Sequence, residues 1–137
     1  MSRLLAFLAL AAIASVVAAT PTAAKEGVVA RVLTPIPRNS EPGAKLKVVW
    51  TLSYVEAGIR HPFGAGAVFI RLFGTNGARS PRVYASEFKR GRYRALVDVP
   101  RGGVRRVAIG LMGMSCGPSS GCRPSPALFE IVGQPLR

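Results

Sequence analysis

Apolar residues recur at every second position along much of this chain. Leu46, Val48, Trp50, Leu52 and Tyr54 fall on one side of a stretch whose other side is Lys47, Val49, Thr51 and Ser53. A period of two with one apolar side predicts a half-buried strand. The same period places Val68, Ile70 and Leu72 on one face. It also places Tyr93, Ala95, Val97 and Val99 inward while Arg94, Leu96 and Asp98 face outward. Residues 28–34 read as a first strand, ended by Pro35 and Pro37. Residues 82–88 follow Pro81, which confines them to an edge strand or a strand start. Residues 104–113 and 127–132 complete the set, the last with Phe129 and Ile131 inward. Beyond the N-terminal segment no helical period is apparent.

Turn chemistry separates these strands. Asn76-Gly77 supplies the positive backbone dihedrals of a tight turn, and residues 56–66 read as a long loop. Arg101-Gly102-Gly103 suits a three-residue hairpin loop, which predicts a register. Val97 then opposes Val107, Ala95 opposes Ile109, Tyr93 opposes Leu111, and Asp98 opposes Arg106 on the outer face. The predicted fold is all-β: a single antiparallel seven-stranded sandwich.

The N-terminus reads differently. Arg3 precedes an apolar stretch over residues 4–19, then small residues and Pro21. This is the layout of a secretory signal. That apolar stretch of 16 residues falls short of the roughly 18 that a spanning helix needs. Cleavage after Ala24 is favoured over cleavage after Ala19. Residues 1–24 are therefore expected to be a signal peptide and residues 25–137 one β-sandwich domain, exported to the periplasm or outside the cell and not membrane-spanning once processed.

The "VVWTLSY" strand, the "GRYRALVDVPRGGVRRVAIGL" segment and the seven-strand length resemble small exported bacterial immunoglobulin-like or fibronectin-like β-sandwich domains. The chain departs from antibody-type domains in lacking their Cys–Trp–Cys core spacing. The resemblance implies a module that recognises other molecules rather than one that transforms them.

Charge sharpens that expectation. The chain carries 19 basic and 6 acidic residues, a net +13, and a pI near 11.4. Such a surface favours anionic partners. Fifteen of the basic residues are Arg, which together with the abundant Ala, Gly and Pro also fits a composition bias. Two clusters, "KRGRYR" over 89–94 and "RGGVRR" over 101–106, offer Arg92, Arg94 and Arg106 as candidate anion-binding residues. Lys47 and Arg71 extend basic surface elsewhere. Phe69 and Phe73 flank Arg71 on one face and are a candidate interface. The expected partners are an anionic wall polymer, an anionic lipid surface, or an envelope or extracellular protein. Nucleic acid is disfavoured, because the aromatic inside the basic cluster, Tyr93, has the period of a core residue.

Both cysteines lie in "MSCGPSSGC", residues 114–122. An exported chain with an even cysteine count ordinarily oxidises them, so Cys116 and Cys122 are expected to form a disulfide. Closing so short a ring contributes on the order of 2 kcal/mol by the chain-entropy model. The alternative is a Cu(I) site drawing on Met112, Met114, Cys116, Cys122 and His61, because soft sulfur selects Cu(I). Exported bacterial copper carriers use Met and His similarly. A redox role fits poorly, since the five-residue spacing is not Cys-x-x-Cys and no helix begins there.

No enzyme is expected. His61 and Asp98 are the only residues of their types, and the hairpin register pairs Asp98 with Arg106. The glutamates are scattered along the chain, and neither zinc-ligand spacing nor a phosphate-cradling loop appears. No cofactor is implied. The sequence thus predicts an exported, non-enzymatic binding module of the bacterial envelope or extracellular space.

Overall fold

The computed structural model describes residues 27–115 and 125–135. The expected signal peptide and both cysteines lie outside them. Among the described residues nine strands follow in order: β1 (Val28–Val32), β2 (Lys45–Glu56), β3 (Ile59–Pro62), β4 (Val68–Phe73), β5 (Val83–Tyr84), β6 (Ser86–Lys89), β7 (Arg92–Asp98), β8 (Arg106–Ser115) and β9 (Ser125–Pro135). They form two antiparallel sheets. The first has the order β1-β2-β7-β6, with β3 also paired to β2; the second has the order β5-β4-β8-β9. No helix among the described residues is long and apolar enough to cross a membrane.

The period of two becomes burial directly. Val48, Trp50 and Leu52 of β2 and Tyr93, Ala95 and Val97 of β7 point into the space between the sheets. Val68, Ile70 and Leu72 of β4 meet them from the second sheet, with Val107, Ile109 and Leu111 of β8 and Ile131 of β9. Burying two such apolar faces against each other is the main favourable term in a sandwich of this kind.

The predicted hairpin around Arg101-Gly102-Gly103 does not form. β7 pairs with β2, so Tyr93 opposes Trp50, Ala95 opposes Val48 and Val97 opposes Leu46. β8 pairs with β4, so Leu111 opposes Val68, Ile109 opposes Ile70 and Val107 opposes Leu72. The two apolar sets face each other across the interior instead of sharing a ladder. Alternation permits either arrangement, because both turn the same side chains inward. Backbone bonds record the crossing between sheets: Val99 N–H donates to Ala44, Val104 N–H to Arg38 and Arg105 N–H to Phe73. Val99 and Val104 are buried on either side of it. Gly103 has positive φ, and a Cβ there would collide with the Arg38 carbonyl.

Two further differences raise the strand count. The single edge strand expected over 82–88 is divided at Ala85, so that β5 joins the second sheet and β6 the first. The expected loop over 56–66 contains β3, joined to β2 by Ala57-Gly58 with φ of 48° and 79°. Asn76-Gly77 forms its tight turn as predicted, with φ of 51° and 75°.

Tyr93 fastens one passage between the sheets. Its hydroxyl accepts from Ala65 N–H at 2.8 Å and donates to the Phe63 carbonyl at 3.1 Å. Residues 63–67 carry the chain from β3 to β4. Burial pushes the Tyr93 phenol above its ordinary value, and the Glu87 carboxylate adds to the rise, against the bond from Ala65 N–H. The unfolded chain therefore releases this proton first, and folding stability falls as pH climbs through the native value. Tyr93→Phe should cost about 1–3 kcal/mol in urea unfolding near neutral pH, because Ala65 N–H loses its acceptor. It should also flatten the decline in stability above about pH 10. An equally steep alkaline decline in wild type and variant would refute the role given to Tyr93.

Candidate anion-binding face

The outward positions of the first sheet gather cations from four strands. Thr51 of β2 opposes Arg31 of β1 on one side and Arg92 of β7 on the other. With neighbouring strands about 4.8 Å apart, Arg31 and Arg92 stand about 10 Å from each other across the sheet. One step along, Arg94 opposes Val49; a further step places Lys47 beside Leu96. In the other direction Arg60 of β3 opposes Val55, and its Nη1 donates to Ser53 Oγ at 3.0 Å. From Lys47 to Val55 this face extends about 26 Å along β2.

The face holds almost no negative charge. Its one carboxylate among the described residues is Asp98, which is taken up by Lys45 Nζ at 2.6 Å. That exposed pair contributes little stability, but it removes the acid from competition. Arg31, Lys47, Arg60, Arg92 and Arg94 have no carboxylate partner among the described residues. An open groove of about 1180 Å³ adjoins them, lined in part by Arg31, Thr51, Ser53, Arg60, Arg90 and Arg92. Apolar side chains are interleaved with the cations. Val29, Leu33, Val55, Phe88 and Leu96 are between 43% and 60% exposed. The Arg94 guanidinium lies 5.4 Å from the centre of the Phe88 ring.

Not every residue expected here is present. Arg92 and Arg94 share the face, but Arg106 belongs to the second sheet. Its Nη1 donates to Glu130 Oε1 at 2.6 Å, and its guanidinium lies 3.9 Å over the Phe73 ring. Asp98 accordingly pairs with Lys45 and not with Arg106. The proposed Phe69 and Phe73 interface is also corrected. Phe69 is only 6% exposed, packed across Gly110 with the Arg82 guanidinium 4.9 Å from its ring centre, and Phe73 is partly covered by Arg106. A glycine on the neighbouring strand leaves the space into which Phe69 folds.

Sequence reasoning missed Arg31 and Arg60 as members. The outward parity of Arg31 was available from its strand. Arg60 was hidden because β3 lay in a segment read as loop.

The residues of the copper alternative are not gathered where they are described. His61 stacks on Tyr54 of the first sheet at 5.3 Å between ring centres. Met112 is exposed on the second sheet. Cys116, Cys122 and the Met114 side chain lie outside the described residues. Among the described residues no three His, Cys, Asp or Glu side chains cluster as a metal would require. A scan of protein-family models found no match, and searches of curated proteins and of solved structures found none either.

Like charges in one cross-strand row repel. Thermal stability should therefore rise when NaCl increases from about 10 to about 200 mM, as screening shortens their reach. Arg31→Gln with Arg92→Gln should flatten that rise in differential scanning calorimetry. A salt response identical to wild type would show that the row is not a concentrated positive site.

Proposed function

We propose that this chain is an exported, non-enzymatic binding module that docks its first sheet on an anionic lipid surface of the cell envelope. The observation that carries the reading is the composition of one face. Five cations with no acidic partner among the described residues alternate with exposed aliphatic and aromatic side chains. Cations alone would suit any polyanion. The interleaved Val29, Leu33, Val55, Phe88 and Leu96 favour a surface with both anionic headgroups and accessible hydrocarbon, which a hydrophilic wall polymer lacks.

The strand order supports the immunoglobulin-like reading of the fold. A β1-β2-β7-β6 sheet facing a β5-β4-β8-β9 sheet corresponds to an ABED sheet facing C′CFG, with residues 83–89 divided between the two as β5 and β6 and with β3 added beside β2. In that arrangement the docking face is the outer surface of the ABED-type sheet, a rigid platform rather than a set of loops.

Vesicle co-sedimentation tests the proposal. Binding to phosphatidylcholine vesicles containing about 30% phosphatidylglycerol should be strong at low salt and fall steeply as salt rises, with little binding to neutral vesicles. At about 1 kcal/mol per basic residue near the surface, replacing Arg31, Arg92 and Arg94 by Gln should weaken it on the order of a hundredfold. Phe88→Asn with Leu96→Asn should weaken vesicle binding while leaving capture of a soluble polyanion unchanged. Vesicle binding that ignores salt, or survives the triple Arg replacement, would contradict the proposal. Equal loss of polyanion and vesicle binding in the apolar variant would remove the lipid in favour of a polymer.

A further inference from the structure

The outer face of the second sheet carries its own cluster of arginines, on the opposite side of the sandwich from the docking face. Arg71 of β4 has the outward parity of Phe69 and Phe73, and it opposes the small Ala108 on β8. On its other side Phe69 opposes Tyr84 and Ile70 opposes Val83, so the next step of the ladder brings Arg82 alongside Arg71. Arg79 bridges to Phe73, two residues beyond Arg71 and on the same face.

Nothing described neutralises this trio. Glu130 reaches the same face but is held by Arg106. The Nε atoms of Arg71 and Arg82 are both buried and have no hydrogen-bond acceptor among the described residues. A buried donor on a cation is costly when unmatched, and such groups in folded proteins are ordinarily met by a partner. Burial, then the charges of Arg82 and Arg79, holds the Arg71 guanidinium below its ordinary value. The trio is therefore short of an acceptor that also carries negative charge. Neighbouring planar guanidiniums present forked donors that match a tetrahedral oxyanion two oxygens at a time.

We propose that Arg71, Arg79 and Arg82 form a binding site for a phosphate dianion, either free or as the terminal group of a phosphomonoester. Tyr84, half exposed and edge-on to Phe69, offers an aromatic surface beside the site for whatever the phosphate is attached to. The site is independent of the lipid-docking face and shares no residue with it.

The test is calorimetric titration and thermal shift on the intact protein at constant ionic strength. Chloride, inorganic phosphate and phenyl phosphate are compared. Both phosphates should raise the melting temperature above that in chloride, with binding strengthening as pH rises through about 6–7 and the dianion forms. Arg71→Gln with Arg82→Gln should weaken binding by more than about tenfold. The glutamine variants should fold at least as well as wild type in chloride, since they relieve repulsion. If the double variant does not fold, the exposed Arg79→Gln supplies the same test with a severalfold loss. Tighter binding of phenyl phosphate than of phosphate assigns the site to a phosphomonoester; equal binding assigns it to free phosphate. Equal melting temperatures in chloride and phosphate, or a phosphate effect that persists in the Arg71/Arg82 variant, would overturn the proposal.

Discussion

The contact between Trp50 and Tyr93 organises both halves of this sandwich. The two residues are register partners at the centre of the first sheet, fully buried, with rings stacked at 6.1 Å between centres. Their apolar bodies fill the space that the second sheet must cover. The Tyr93 hydroxyl then reaches beyond the stack to the backbone of Phe63 and Ala65, where the chain leaves one sheet for the other. Trp50 Nε1 finds no acceptor among the described residues, so Tyr93 carries the polar part of this anchor. A core aromatic with a satisfied polar tip thus fixes the passage from β3 to β4 as well as the packing.

With the core so fixed, every outward position of β1, β2, β3 and β7 is committed to one face. That is how residues far apart in sequence, Arg31, Lys47, Arg60, Arg92 and Arg94, come to share a surface. The two outer faces then divide by their acids. On the first sheet Asp98 is occupied by Lys45; on the second Glu130 is occupied by Arg106. Among the described residues each face has one paired carboxylate and an excess of guanidinium. The first is broad, open and mixed with hydrocarbon, whereas the second is compact, with partly buried nitrogens. Those differences suit a surface in one case and a small anion in the other.

Much of this was legible in the sequence, because a period of two maps directly onto inside and outside. The inward sets of β2, β4, β7 and β8 read correctly residue by residue, as did Asn76-Gly77. Pairing was less legible. Tyr93, Ala95 and Val97 face inward whether their strand pairs with β8 or stands opposite it, so the period carries no information about the partner. The glycines after Arg101 suggested a hairpin loop, yet tertiary contacts with Arg38 and Phe73 make that segment a crossing. Arg106 was misplaced with it. Phe69 looked exposed by parity, because nothing local announces that Gly110 on another strand will receive it. β3 was lost because Ala57 is an unusual residue for its left-handed turn position.

In the proposed reading the outer surface of the first sheet is the face that meets an anionic bilayer. Amide chemical-shift mapping with phosphatidylglycerol-containing nanodiscs tests it directly. Perturbations concentrated at Arg31, Thr51, Arg92, Arg94 and Leu96, absent with neutral nanodiscs, are the predicted result. Perturbations concentrated on the second sheet, or spread evenly over the basic residues of both sheets, would contradict it.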